Sequence, residues 1–316
     1  KINNFFLSYY SQFNFSQTDG TNTHLSKGFL KIVSSNYFFK IGQMGSTIGI
    51  EPNTAIADFM FLEFSNVSNA FLAQEIFGIQ FKYFFKNKIF NNCNYFNLFL
   101  SFSLNDINFN SIVDNINVYS VLSSGKDKCY FMFRGIFLPI NVTYLTLHFG
   151  FDFQYSNNQT SPVIANTSVE FRERNYNINR SYQLMGTGKN INSVNSYIFG
   201  FENIFIFKCF NFQYEIFYNF INWDPPIDPS NYNGLYFQIG YCFTGEKKPY
   251  VISSGSMSTP KNIKNYGSFE LVFRYSYVDM QISEDIIVFP ETGKVNSYTF
   301  GLNWCFNPKL KIQLNY

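Results

Sequence analysis

The sequence predicts an all-β fold, a transmembrane antiparallel β-barrel, and three observations lead to this prediction. Apolar and polar residues alternate with a period of two over many stretches of nine to eleven residues, the length that crosses a bilayer at a tilt. Aromatic residues make up 21% of the 316 residues and charged residues only 14%. Mean hydropathy is nearly neutral at −0.10, and no run approaches the ~18 apolar residues of a membrane-spanning helix.

The charge balance argues against several other classes of protein. The chain has 23 Lys and Arg residues against 21 Asp and Glu residues, a net charge of +2. A nucleic-acid-binding protein needs a basic surface, and a disordered chain needs low hydrophobicity with high net charge. We therefore expect no nucleic-acid partner.

The five cysteines lie far apart, and an odd number cannot close into a complete disulfide framework.

Alternation defines the predicted strands. In residues 212–221 the even positions are all apolar, whereas the odd positions are mixed. Residues 145–153, 235–243, 269–279 and 298–306 repeat this pattern clearly, and a weaker version covers 5–15, 29–33, 37–41, 77–85, 96–104, 129–138, 169–172, 197–207 and 310–316. Successive side chains of a strand point to opposite faces, so these segments predict about fourteen strands. No amphipathic helix of useful length is evident.

The connections between these segments differ in length in a regular way. Short turns are predicted at 138–143, 207–211 and 305–310, and long polar segments at 105–128, 155–166, 222–234 and 280–294. Short turns on one rim and long loops on the other are typical of outer-membrane barrels. Residues 245–266 depart from this rule, because they are long yet fall on the short-turn rim by parity.

The alternative fold is a soluble β-sandwich or lipocalin-like barrel. Such a fold would carry aliphatic residues on its inner face and charges on its outer face. Here the apolar face is rich in Phe and Tyr, and the mixed face carries Asn, Gln, Ser, Gly and Thr with isolated charges. This distribution favours lipid on one side and a wet lumen on the other.

Several stretches carry recognisable motifs. Residues 232–250 read YNGLYFQIGYCFTGEKKPY, residues 267–276 GSFELVFRYS, residues 301–308 GLNWCFNP and residues 314–316 LNY. Near the start, residues 42–51 read GQMGSTIGIE and residues 59–63 FMFLE. Together these stretches resemble the phosphate-selective porin O and P family of bacterial outer membranes. Within that family, residues 42–51 and 59–63 resemble the segment that folds into the pore as a constriction loop.

The resemblance implies a sixteen-stranded barrel that assembles as a homotrimer and passes anions. It implies that residues 1–316 are a single barrel domain, a fragment of a longer porin with strands missing at its ends, and that residues 42–75 form the constriction loop. The chain departs from the family pattern around Gly45, at Glu63-Phe64, and at Gln74 and Glu75, where basic residues are expected. These replacements argue against phosphate specificity but leave room for a weak anion preference.

Alternation places four basic residues on the polar face, and these are our pore-lining candidates: Lys40, Lys82, Arg134 and Arg274. Side-chain charges in a narrow lumen filter ions. Arg274 shares its face with Glu270 four residues away, so we expect an ion-pair ladder there, whereas Arg134 and Lys82 lack an obvious partner on their own strands. In the loop the candidates are Glu51, Asp58 and Glu63, which would favour cations if the loop folds inward. Otherwise the segment is an ordinary surface loop.

The predicted function is a water-filled channel for passive diffusion of small hydrophilic solutes, with inorganic anions such as phosphate among them. The expected partners are outer-membrane lipid, further copies of the chain and small ions. The alternative is a non-conducting barrel that serves in surface interaction or adhesion, which the apolar residues Phe84, Phe217 and Ile221 on the mixed face keep open. Only His24 and His148 are present, so we expect no catalytic site, metal site or cofactor.

Overall fold

The computed structural model describes residues 5–14, 24–72, 75–87, 94–104, 129–157, 166–168, 183–186, 193–223, 228–260, 266–280, 293–307 and 310–316. Its strands are β1 (Phe6–Asn14), β2 (His24–Val33), β3 (Tyr37–Gly45), β4 (Glu75–Asn87), β5 (Asn94–Leu104), β6 (Cys129–Asn141), β7 (Leu145–Asn157), β8 (Asn166–Ser168), β9 (Gln183–Gly186), β10 (Ser193–Phe207), β11 (Phe210–Trp223), β12 (Ser230–Cys242), β13 (Tyr250–Val251), β14 (Ser256–Met257), β15 (Ser268–Asp279), β16 (Lys294–Asn307) and β17 (Leu310–Asn315). Three short helical elements complete it: α1 (Ile50–Asn53), a 3₁₀ turn (Ile56–Asp58) and α2 (Asn66–Phe71).

Thirteen of these strands form one antiparallel sheet, in which each strand pairs with the next along the chain. The other four form two small hairpins, β8 with β9 and β13 with β14. Thirteen of the fourteen predicted strands coincide with strands of the main sheet, and the remaining one, residues 169–172, lies outside the described residues. The number sixteen for a complete barrel stays a prediction.

One predicted turn begins too early. Strand β6 continues through Pro139 to Asn141, so the turn to β7 is only residues 142–144. The register of β6 against β7 shifts between Phe137 and Ile140. Proline has no N–H to donate to the ladder, so it is tolerated in a strand at such an irregularity.

The two faces of the sheet differ as the alternation predicts. Phe149 and Phe151 of β7 are exposed on one face, whereas His148 and Asp152 are completely buried on the other. Exposed Phe, Tyr and Leu residues continue around the outer face, where neighbouring rings pack in pairs such as Phe273 with Phe300 and Tyr275 with Tyr298. The sheet is therefore a barrel wall with an apolar outer surface and a polar lumen.

Two connections fold into the lumen. The first insert, residues 46–72 between β3 and β4, contains α1, the 3₁₀ turn and α2. The second insert, residues 244–260 between β12 and β15, contains the β13–β14 hairpin. Connections in a sheet of sequential antiparallel strands alternate between the two rims, so the inserts enter from opposite rims. The second insert therefore explains why residues 245–266 are long although they lie on the rim of short turns.

Two apolar clusters hold the inserts against the wall. In the larger one, Val67 and Phe71 of α2 pack with Phe217, Ile221 and Trp223 of β11. In the smaller one, Ile50, Met60 and Phe61 of the first insert pack with Met257 of the second insert and with wall residues of β10 and β15. Phe217 and Ile221, which interrupt the polar pattern of their strand, are therefore anchor points for an insert. Among the described residues, no helix is long and apolar enough to cross a membrane.

Candidate functional site

Arg134 is completely buried on the lumen face of the wall. Arg134 of β6 lies directly opposite Asp152 of β7 in the strand register. Its Nη2 is 2.9 Å from Glu202 Oε1, and its Nε is 3.9 Å from Asp152 Oδ1. Glu202 Oε1 also lies 2.9 Å from His148 Nε2. These partners are not visible in the sequence around Arg134, because Asp152 and His148 lie on β7 and Glu202 lies on β10, and only the register of the sheet brings them together.

Two carboxylates of this region bind the backbone of the first insert. Asp152 Oδ1 accepts a hydrogen bond from Gly49 N at 3.3 Å, and Glu215 Oε1 accepts one from Ile50 N at 2.7 Å. Glu202 and Glu215 are register partners on β10 and β11. We call Asp152, Glu202 and Glu215 the carboxylate centre; they are buried, and one oxygen of each lies within 4.8 Å of the others.

Carboxylate oxygens are ligands that hard cations prefer, so this centre could in principle hold one. Most of its oxygens, however, already bind groups of the chain: Arg134, His148, Tyr236 and the two insert amides. Among the buried side-chain atoms that the structure describes, Asp152 Oδ2 is the member of the centre without a partner. Holding the first insert is sufficient to explain the arrangement.

Glu51 and Arg274 join the first insert to β15. Arg274 Nη1 lies 3.3 Å from Glu51 Oε1 and donates to Glu63 O at 3.0 Å. Glu51 Oε2 accepts from the backbone N and the hydroxyl of Ser65. Burial raises the pKa of the Glu51 carboxyl, and the positive charge of Arg274 only partly opposes this shift. Arg274 thus reaches an insert, as does Glu270, which binds Lys248 Nζ at 2.9 Å.

The other two loop candidates have different surroundings. Asp58 joins the two inserts, because its Oδ1 accepts from Ser258 Oγ at 3.0 Å and from Thr259 N at 2.7 Å. Glu63 is half-buried and lines a small cleft together with Glu51 and Asp58. The insert itself is shorter than the predicted loop 42–75: residues 42–45 belong to β3 and residue 75 to β4.

The tip of the second insert, residues 252–255, presents four consecutive carbonyl groups to the wall. Asn97 Nδ2 donates to Ile252 O at 2.9 Å, and Lys82 Nζ donates to Ser253 O. Arg134 donates through Nη1 to Ser254 O at 2.8 Å and through Nη2 to Gly255 O at 3.1 Å. Two of the predicted pore-lining residues, Lys82 and Arg134, therefore bind the same backbone segment.

Three lysines surround one aromatic ring on β2–β4. The ammonium nitrogens of Lys31, Lys40 and Lys82 lie 4.5, 5.1 and 5.6 Å from the centre of the Phe38 ring. Lys31 and Lys40 are direct register partners. Among the described residues, no carboxylate lies within ion-pair distance of this lysine cluster.

Lys31 was not among the predicted site residues, although its position could have indicated it. Leu30 and Ile32 are exposed on the outer face, so the odd positions of β2, which include Phe29 and Lys31, face inward. The same period of two that indicated Lys40 and Lys82 therefore applies to Lys31.

An aromatic outer face, a polar lumen and two infolded segments define an outer-membrane β-barrel of the porin class. The family model described as "Phosphate-selective porin O and P" matches residues 3–316, and the chain belongs to this family. Membership places the chain in the bacterial outer membrane.

A curated relative and a solved structure are also similar to this chain. Porin O of Pseudomonas aeruginosa is 23% identical over 214 residues, which are 61% of this chain and 48% of that protein. The matched region thus spans about half the length of the relative. OmpTdeltaL8, a loop L8 deletion mutant of the outer-membrane protein OmpT of Vibrio cholerae, matches with a TM-score of 0.48 and 9% identity, covering 98% of this chain and 79% of that one.

Proposed function

We propose that this barrel is a channel for passive diffusion of small hydrophilic solutes across the outer membrane, with a preference for anions such as inorganic phosphate. Family membership supports the channel, and the relative named Porin O supports it further. The lysine cluster is the observation that carries the anion preference.

The physical reason is that Lys31, Lys40 and Lys82 concentrate positive charge on the lumen face of β2–β4 without carboxylate partners among the described residues. Unpaired charge in a confined, low-dielectric passage raises the local concentration of counter-ions. Arg134 and Arg274, by contrast, already bind carboxylates. In this proposal Lys40 and Lys82 select ions, Lys82 while also bound to the tip of the second insert, whereas carboxylates balance the charges of Arg134 and Arg274.

The first experiment is a measurement of conductance in planar bilayers across a KCl gradient. We expect a reversal potential on the anion side. Replacing Lys40→Gln should reduce the anion-to-cation permeability ratio by up to about tenfold, because a unit charge about 6 Å from a hydrated ion contributes roughly 0.7 kcal/mol, which favours the anion and disfavours the cation.

The matched control is Lys208→Gln, which removes the same charge from an exposed position in the β10–β11 turn. This variant should keep the reversal potential of the parent. An unselective or cation-side potential in the parent would contradict the anion preference, and an absence of conductance would contradict the channel.

We further propose that the barrel assembles as a homotrimer, which rests on the resemblance of the sequence to its family. Cross-linking of the detergent-solubilised protein should give a ladder that ends at three copies. The non-conducting adhesion barrel is the less favoured alternative, because Phe217 and Ile221 are occupied in packing against α2.

A further inference from the structure

The contacts of Lys82 are unusual for a buried cation. The side chain is 1% exposed, and its ammonium group binds the carbonyl of Ser253 and lies 3.2 Å from the centre of the Phe99 ring. No carboxylate lies within ion-pair distance of it among the described residues. A buried charge is costly unless it is paired, and a carbonyl dipole with aromatic rings compensates it less fully than an anion would.

The neighbouring donors converge on the same segment of backbone. Asn97 Nδ2, Lys82 Nζ and Arg134 Nη1 and Nη2 provide donors from three adjacent strands, β4, β5 and β6. Their acceptors are four successive carbonyl oxygens of the tip of the second insert. Ammonium, guanidinium and amide groups directed at a row of oxygens are also the donor set that binds phosphate.

We propose that Asn97, Lys82 and Arg134 form an oxyanion-binding site, and that the tip of the second insert occupies this site as an internal substitute for the ligand. Phosphate then competes with the tip for the same donors, and binding of phosphate releases the tip from the wall. This inference rests on the proposed function, since it assigns a binding site and a gate to the same anion pathway.

The construction of the second insert allows such a release. The β13–β14 hairpin has only two residues in each strand, and Ser253 at its turn is exposed. Gly255, with φ +65°, is fitted closely to the wall: a Cβ there would overlap Ile136 Cδ1 and lie 3.3 Å from Arg134 Nη2. Gly245, with φ +92°, lies at the base of the same insert with no atom within 4 Å of its Cβ position.

These two glycines provide a matched pair of variants. Both Gly255→Val and Gly245→Val place a β-branched residue at positive φ, but only the former also forces the tip away from Ile136 and Arg134. Each variant is reconstituted in planar bilayers, and chloride current is titrated with inorganic phosphate. The same proteins are checked for folding by their heat-modifiable migration on gels.

We expect Gly255→Val to show a larger chloride conductance and a half-blocking phosphate concentration about tenfold lower than Gly245→Val. The reason is that a tip docked about 90% of the time lowers the apparent affinity for a competing ligand about tenfold. Lys82→Gln, which leaves both glycines intact, weakens the tip as well as phosphate, but it should still raise the half-blocking concentration severalfold, because an ammonium charge attracts an anion more strongly than it attracts the neutral Ser253 carbonyl. It tests the site even if Gly255→Val does not fold.

Equal phosphate titrations for the two glycine variants, both folded and conducting, would overturn the inference, as would a Lys82→Gln channel that phosphate blocks like the parent. Either result leaves an anion-selective channel in place, so it is distinguishable from failure of the proposed function. If the proposed function itself fails, the parent protein shows no anion-selective current.

Discussion

The carboxylate centre and the lysine cluster lie on the same lumen face, but their charges are used in opposite ways. Asp152, Glu202 and Glu215 are buried and bind Arg134 or the backbone of the first insert. Lys31, Lys40 and Lys82 share the Phe38 ring and have no carboxylate partner among the described residues. A charge on the lumen face therefore does not by itself indicate a pore-lining role, because a carboxylate or insert partner can give the same charge a structural role.

The largest expected effect is the loss of stability when a member of the carboxylate centre is replaced. Glu202→Gln removes the main partner of Arg134 and leaves a buried guanidinium that Asp152 compensates only at 3.9 Å. Breaking a buried ion pair from one side costs about 3–5 kcal/mol in the free energy of unfolding. Urea unfolding in detergent micelles measures this loss.

The control for this variant is Glu63→Gln, which removes a half-buried carboxylate on the first insert and should cost less than about 1 kcal/mol. Equal, small losses for Glu202→Gln and Glu63→Gln would contradict this prediction, because the carboxylate centre would then contribute no more to stability than a partly solvated charge.

A smaller effect concerns the pH dependence of stability and comes from Glu51, which pairs with Arg274. The pKa of Glu51 is raised above its ordinary value of 4.5 by burial, so the folded protein takes up a proton at a higher pH than the unfolded chain. The contribution of this group therefore makes the protein more stable as the pH falls from its raised pKa towards 4.5, by at most about 1.4 kcal/mol per pH unit.

Glu51→Gln should remove this contribution, so the variant gains less stability than the parent between pH 7.5 and pH 5. Thermal unfolding followed by circular dichroism at the two pH values tests this difference. A variant whose gain equals that of the parent would show that Glu51 does not titrate in this range.

The smallest effect is the loss of stability when the aromatic ring of the lysine cluster is replaced. Phe38→Leu removes the ring shared by three ammonium groups, and a cation–π contact is worth about 0.5–1 kcal/mol. Lys40 keeps a contact with Phe29 and Lys82 one with Phe99, so the loss is less than that of three full contacts. We expect a loss of stability of about 1–2 kcal/mol. Phe84→Leu is the matched control, since the Phe84 ring lies near Lys82 alone among these lysines. If Phe84→Leu costs as much as Phe38→Leu, the shared ring has no special role.

The strands could be predicted because a period of two is local. Each strand needs only its own residues to show which face is apolar, and the inward positions of Lys40 and Lys82 follow from the same count. The first insert could be placed because its glycine-bearing segment resembles a known constriction loop. The second was visible only as a connection of the wrong length for its rim.

The partners inside the lumen could not be predicted in this way. Arg274 meets Glu51 across 223 residues of sequence, and Asn97 meets Ile252 across 155. No local pattern encodes these pairs, since they depend on how deeply each insert enters and on where the wall strands stop. Even the pair Arg134–Asp152 needs the register of β6 against β7, which the irregularity at Pro139 helps to set.

The hydrogen bonds of Asp58 have a mechanical consequence for the whole molecule. One carboxylate oxygen connects a segment that enters from one mouth of the barrel to a segment that enters from the other. The two mouths are thereby coupled through the interior, independently of the wall. A displacement of the first insert therefore acts on Ser258 and Thr259. These residues lie three to four positions from the tip that binds Lys82 and Arg134, so the linkage joins the insert of one mouth to the insert of the other.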